Sequence, residues 1–341
     1  MCASKAAFTA LIILVAALAG CRPSSGPEVV VYTALDAEFS KAILEDFTAE
    51  TGITVLPKFD TEATKTVGLA NAIMAEATRP RCDILWNNEI LNTLRLKERG
   101  LLDMYHSPAG EAFPAAFRDR DGSWHGFAAR ARILIVNTRL VSEADRPTSI
   151  YDLAEPKWKG RIGIAKPLFG TTATHVACLF ATLGESKAEE LFLRMKENGI
   201  RIESGNKQVA LSVANGQAAF GLTDTDDALA MIDQGYPVTI VYPDREPNQL
   251  GTLFIPNTLA IVKGCPNPGH ARRLVDWLLR PEIEARLAAG PSGQIPLNPA
   301  VNVKLRVETP RTVKAMEVDF ADAARQWERA ATFVRDHFTV D

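Results

Sequence analysis

Five consecutive oxygen-bearing side chains, Thr223, Asp224, Thr225, Asp226 and Asp227, stand between the apolar run Ala218-Ala-Phe-Gly-Leu222 and a helical pattern that continues to Ile232. Such a run can coordinate a hard cation, hold a cationic group, or cap a helix. Capping uses one or two side chains and acids in a first turn favour the dipole, so five oxygen-bearing residues exceed what a cap requires. A short buried strand that ends in carboxylates and opens a helix is how an open α/β sheet presents a ligand site at its carboxyl edge. Other segments have the same character. Asp36 follows the strand pattern Glu28-Val-Val-Val-Tyr-Thr33, and Asn87-Asn88-Glu89 ends a third strand at Cys82-Asp-Ile-Leu-Trp86. Gly170, Thr171 and Thr172 open a helix, where free N–H groups and hydroxyls suit an anion but also suit ordinary capping. Arg130 and Arg132 share one face of the apolar strand Ser123–Val136 and need an acid or an anion as partner. Both a structural ion pair and an anion site satisfy that need.

Catalysis has little to stand on. His175, Cys178 and Ser212 are present, but no Gly-x-Ser-x-Gly elbow, phosphate-binding loop or His-Glu-x-x-His occurs. His175 and Cys178 lie three apart on one expected helix, as a packed face would place them. The chain reads as a binder, not an enzyme.

The elements that must position these groups alternate. A helix is expected over 37–51, stopped by Gly52, then a strand over 53–59, a helix over 65–77 and the strand 82–86. This β-α-β-α-β order implies a mostly parallel sheet with right-handed crossovers. Further on, the pattern gives a short helix over 148–153, a strand over 161–165, the helix opened by Gly170, a helix over 186–198, a strand over 200–202 and a helix over 208–215. Strands over 237–242 and 253–262 follow, the second returning to the first half of the chain. Helices over 270–279 and 282–289 and a helix-rich tail complete the chain.

Residues 1–20 read as a signal peptide: Lys5 supplies the charge, Ala6–Ala19 the apolar run, and Leu18-Ala19-Gly20-Cys21 resembles the bacterial lipobox. That resemblance implies cleavage before Cys21 and lipidation of its thiol, with residues 21–27 as a tether. The protein is then expected in the periplasm or otherwise outside the cytoplasm, held to a membrane by lipid alone. Removing 20 of 341 residues leaves 321, enough for two ordinary domains. A hydrophobic share of 47% with 23% charged residues describes a well-cored globular chain, and a net charge of −3 gives no argument for nucleic acid. Cys82, Cys178 and Cys265 match no metal cluster or disulfide framework.

As a set, Val31-Tyr-Thr33, Cys82–Glu89, Ala129–Val136, Pro156-Lys-Trp-Lys-Gly-Arg-Ile-Gly163, Gly205–Ala210, Ala214–Gln217 and Ile295–Asn298 resemble the extracellular solute-binding proteins of ATP-driven importers. More narrowly the chain is similar to the periplasmic ferric-ion-binding group of the type II binding-protein fold, over about residues 28 to 335. The resemblance implies an α/β fold of two lobes joined by crossing strands, with a hinge and an interlobe cleft that closes on ligand. Lobe 1 is expected to comprise 28–127 and 255–300, and lobe 2 to comprise 128–254 and 301–341. It implies an ABC permease and its ATPase as partners of a monomer.

Carried over residue by residue, the resemblance places Asp36 where ferric binders have a His or similar ligand, and Asn88 with Glu89 where they have a carboxylate. Asp224-Thr225-Asp226-Asp227 stands where they have a Tyr pair. Gly170, Thr171, Thr172 and Asn206 hold the places that bind an anion beside the metal, with Arg130 a further candidate. Asp36, Glu89, Asp224, Asp226 and Asp227 are thus the expected metal ligands, for Fe3+ or alternatively Ca2+ or Mn2+, with a synergistic anion. The same residues suit a small zwitterion such as an aminoalkylphosphonate: the acids take the ammonium and the arginine and helix start take the anionic group.

Overall fold

The protein is described by a computed structural model that covers residues 26–60 and 66–338. The expected signal peptide, the expected lipidation site Cys21 and nearly all of the expected tether lie outside the described residues.

In chain order the first elements are β1 (Glu28–Thr33), α1 (Ala37–Thr51), β2 (Thr54–Phe59), α2 (Val67–Ala75), β3 (Ile84–Asn87) and α3 (Leu91–Glu98). The long strand β4 (His125–Asn137) is followed by β5 (Ile162–Ala165), α4 (Gly170–Leu183), α5 (Glu185–Glu197), β6 (Arg201–Glu203) and α6 (Asn206–Ala214). Then come β7 (Phe220–Asp224), α7 (Thr225–Asp233), β8 (Val238–Val241), β9 (Phe254–Ile261), α8 (Pro268–Leu278), α9 (Pro281–Ala289) and α10 (Phe320–Phe338). The expected short helix near 148–153 is a 3-10 turn at Ile150–Ala154, capped by Ser149.

The nine strands of the described residues join in one sheet, in the order β2-β1-β3-β9-β4-β7-β5-β6, with β8 also on β4. The two ends are parallel, as expected: β1 pairs β2 and β3, and β5 pairs β6 and β7. The middle corrects the expectation of a mostly parallel sheet. Strands β3–β9, β9–β4, β4–β7 and β4–β8 are antiparallel, because β4 and β9 run in opposite senses between the two parallel ends. Strand β4 is buried along all thirteen residues and pairs first with β9 and then with β8. Burial on both faces explains its near-continuous apolar sequence.

Each parallel end carries its own packing. Helix α1 buries Ile43, Leu44 and Phe47 and ends at Gly52, whose φ of 71° lets its N–H reach Thr48 O. Phe47 meets Trp277 of α8 edge-on at 5.6 Å. At the other end Trp158 meets Phe220 of β7 at 5.1 Å. Burying side chains of this size contributes about 1.5–3 kcal/mol apiece. Helix α10 touches both ends. Phe333 packs on Phe180 of α4 at 5.8 Å, while Arg95 of α3 lies over Trp327 and pairs with Glu328 at 2.7 Å.

Candidate functional site

The carboxyl ends of the parallel strands carry the expected site groups: Asp36 after β1, Asn88 and Glu89 after β3, Gly170–Thr172 after β5, Asn206 after β6, and Asp224 ending β7. Phe220 to Asp224 is fully buried, and α7 begins at Thr225 with Asp226 and Asp227 in its first turn. Asp224 is the N-cap residue, yet its side chain makes no cap hydrogen bond. Its carboxylate does something other than capping.

It faces two buried guanidinium groups. The β4–β7 register sets Arg132 opposite Asp224, and Arg132 Nη1 donates to Asp224 Oδ1 at 2.8 Å. The second oxygen accepts from Thr171 Oγ1 at 2.6 Å and Asn206 Nδ2 at 3.0 Å. Arg132 also donates to Asn206 Oδ1 and to both hydroxyls of the α4 start, each at 3.1 Å. Arg130 Nη1 donates to Asp226 Oδ2 at 2.8 Å and lies 3.6 Å from Asp224. Burial alone would push the Asp224 carboxyl up, but Arg132 and Arg130 more than reverse it and hold it below the usual range. Burial opposes the Arg130 charge, and Asp226, Asp224, Asp227 and Asp36 together outweigh that. Asp36 therefore belongs to this electrostatic neighbourhood.

The structural ion pair expected for the arginines is present, but it leaves Arg130 incompletely used. Its Nε and Nη2 are buried with no hydrogen-bond partner. Asn88, also buried, has its Oδ1 in the same condition. Unmade bonds of this kind are costly, about 1–3 kcal/mol per buried group, so they mark places where a ligand gains. Asp224, Asp226 and Asp227 offer oxygens within 4.8 Å of one another, the geometry of a candidate cation site.

Glu89 is placed differently. One oxygen accepts from Asn87 Nδ2 and Asn92 N, the other from Leu91 N and from Thr174 Oγ1 of α4. All four lone-pair directions are taken, so Glu89 serves the start of α3 and a contact to α4. Thr171 and Thr172 are likewise engaged with Arg132, Asp224 and Asn206. Arg132, which the sequence pairs with Arg130 on one strand face in need of an acid or an anion, finds that acid in Asp224, whereas nothing in the sequence singles out Lys207. Lys207 opens α6 and pairs with Glu38 of α1 at 3.1 Å, raised in pKa first by Glu38 and further by Asp36 and Asp227. The tyrosines with a described hydroxyl partner are engaged elsewhere: Tyr32 with Glu76, Tyr105 with Asp276, and Tyr242 with the Glu308 N–H.

Two parallel-sheet ends joined by long antiparallel strands, with polar groups converging from both, define a two-lobe α/β binding protein. The comparisons agree. Residues 93–324 match the family of bacterial extracellular solute-binding proteins, and the chain belongs to that family, whose members bind solutes rather than catalyse reactions. The major ferric iron-binding protein of Neisseria meningitidis is 27% identical over 316 residues, covering 90% of this chain and 91% of its own length. A putative 2-aminoethylphosphonate-binding periplasmic protein of Salmonella typhi is 23% identical over 217 residues, 62% of each chain. The crystal structure of iron-bound HitA from Pseudomonas aeruginosa superposes with a TM-score of 0.82 at 23% identity, covering 92% of this chain and 99% of that one. No helix of the described residues is long and apolar enough to cross a membrane.

Proposed function

We propose that this protein is the lipid-anchored solute-capturing subunit of an ATP-driven importer, and that its cargo is a small organic solute with an acidic group and a cationic one. The observation that carries the cargo assignment is Arg130, buried and tied to Asp226 through one nitrogen while Nε and Nη2 stay unpartnered. A phosphonate or carboxylate satisfies that pair of donors in bidentate fashion. Asp36 and Asp227 balance the ammonium, and the orphaned Asn88 Oδ1 accepts from a cargo N–H. An aminoalkylphosphonate has these features, and the Salmonella relative is named for one. The lobes divide at 28–127 with 255–300, and 128–254 with 301–341. Cys21 carries the lipid, and a permease and its ATPase complete the transporter.

A second reading, iron(III) with an accompanying anion, is favoured by the three clustered carboxylates and by the Neisseria relative. Charge tells against it. Among the described groups, Asp36, Glu38, Asp224, Asp226 and Asp227 face Arg130, Arg132 and Lys207, five negative charges against three positive, and Asp224 and Asp226 are already paired with the arginines. A trivalent cation beside two buried guanidinium groups that already pair with Asp224 and Asp226 forgoes part of the Coulombic gain that would offset its desolvation. Native mass spectrometry of protein purified from its own extracytoplasmic compartment separates the readings. A co-purifying organic mass without metal is expected. A stoichiometric iron adduct would reverse the assignment.

A further inference from the structure

Strand β4 is irregular immediately before the arginines. Phe127 pairs with Asn257 on β9, and Arg130 pairs with Ile255. Three steps along β4 match two along β9, so one extra residue is inserted. The consequence is a change of face. Asn257 and Ile255 point to the same side of the sheet, so Phe127 and Arg130 do too, despite their odd separation. Without the insertion Ala129 would occupy that face, and Arg130 and Arg132 would turn away from Asp224 and Asp226.

The inserted backbone does not hold itself. Ala128 sits at φ 45°, a left-handed value that is uncommon for a residue with a Cβ. Both of its peptide groups leave the ladder for side chains. Its N–H donates to Glu284 Oε1 at 2.6 Å, and its carbonyl accepts from Asn257 Nδ2. Glu284, 1% exposed on α9, accepts also from Leu297 N at 2.9 Å and Asn298 N at 2.8 Å. Asn257 is tied in turn to Gln294 Oε1 at 2.8 Å, and Ala129 and Ile295 exchange two backbone bonds at 2.7 Å. Three separate segments thus converge on the adjacent residues Ala128 and Ala129 of β4.

We propose that Glu284 and Asn257 form a clamp on the Ala128 bulge that positions Arg130 and Arg132 for cargo, which makes them positioning residues for binding although neither stands among the site groups. This rests on the cargo reading above only for the choice of probe. The bulge also lies where β4 passes between the two parallel ends of the sheet, so the clamp sets the arginines' aim at the point about which the lobes move.

The test combines affinity with a readout that needs no ligand. Calorimetry with 2-aminoethylphosphonate is run on wild type, Glu284→Gln, Ala128→Gly, Arg130→Met and the Glu284→Gln/Arg130→Met pair, with hydrogen exchange at 127–132 in each ligand-free protein. Glu284→Gln is expected to weaken binding at least tenfold while remaining folded at the assay temperature, and to speed exchange at 127–132. Ala128→Gly, which keeps the clamp and relieves the backbone, should bind within threefold of wild type. In the double variant the loss from Glu284→Gln should largely vanish, since its effect acts through Arg130. Fully additive losses, or Glu284→Gln binding like wild type, overturn the proposal. If wild type ignores the probe, the cargo reading fails alone. The exchange data then decide the clamp, with unchanged exchange at 127–132 in Glu284→Gln refuting it.

Discussion

At the scale of single residues the site is a buried charge lattice, and its members pay for one another. Asp224 keeps its charge because Arg132 and Arg130 reach it, while His175 shows the opposite outcome three residues along α4 from Thr172. Burial drives its pKa down to about 3, Arg132 adds to the shift, and neither ring nitrogen has a hydrogen-bond partner. The native state therefore holds His175 neutral, whereas the unfolded chain protonates it near the ordinary value of about 6.5. Between those values the unfolded state binds more protons. The associated stability is complete above about pH 6.5 and is lost as pH falls toward 3, at up to about 1.4 kcal/mol per pH unit. His175→Leu should flatten this slope, and should not destabilise at neutral pH because it removes two unpaired polar atoms. Urea unfolding at about pH 5 and 7 reads both effects. A slope unchanged in the variant would show that His175 does not contribute it.

Among elements, the contacts between the two ends of the molecule differ in kind. Glu89–Thr174 is buried, whereas Lys207–Glu38 is half-exposed and joins α6 to α1. An exposed pair contributes about 0.2–1 kcal/mol and is screened by salt. Lys207→Ala should therefore weaken cargo binding less than about fivefold at low salt, with the difference fading near 1 M salt. A loss that persists at high salt would mean that Lys207 touches cargo directly. Element boundaries were largely legible, because hydrophobic period and glycine stops are local: β1 and α1 fall at the expected residues. The Asp224 region was legible for the same reason. The antiparallel centre was not, since the sense of β4 and β9 depends on partners far along the chain. Nor was the role of Glu89, whose four hydrogen-bond donors are settled by how α3 begins and α4 docks. The Ala128 bulge left no trace in the sequence, because Ala is not a residue that announces a left-handed backbone. Its causes, Glu284 and Asn257, lie over a hundred positions away.

For the whole molecule, the proposed function implies capture by closure of the two ends of the sheet. Polar groups arrive from both ends of one continuous sheet, and β4, β9 and α10 contact both ends. In the proposed function such an arrangement binds by bringing the ends together, and cargo supplies the hydrogen bonds that Arg130 lacks. The central claim is that this cargo is an organic acid recognised without metal. The most direct measurement is calorimetric titration of chelator-treated protein with 2-aminoethylphosphonate, in the continued presence of chelator, alongside Arg130→Met. Saturable one-to-one binding in wild type, weakened at least a hundredfold in Arg130→Met (about 2.7 kcal/mol), is the predicted result. Absence of binding until ferric ion is added, with a stoichiometric iron complex that Arg130→Met leaves intact, would contradict it.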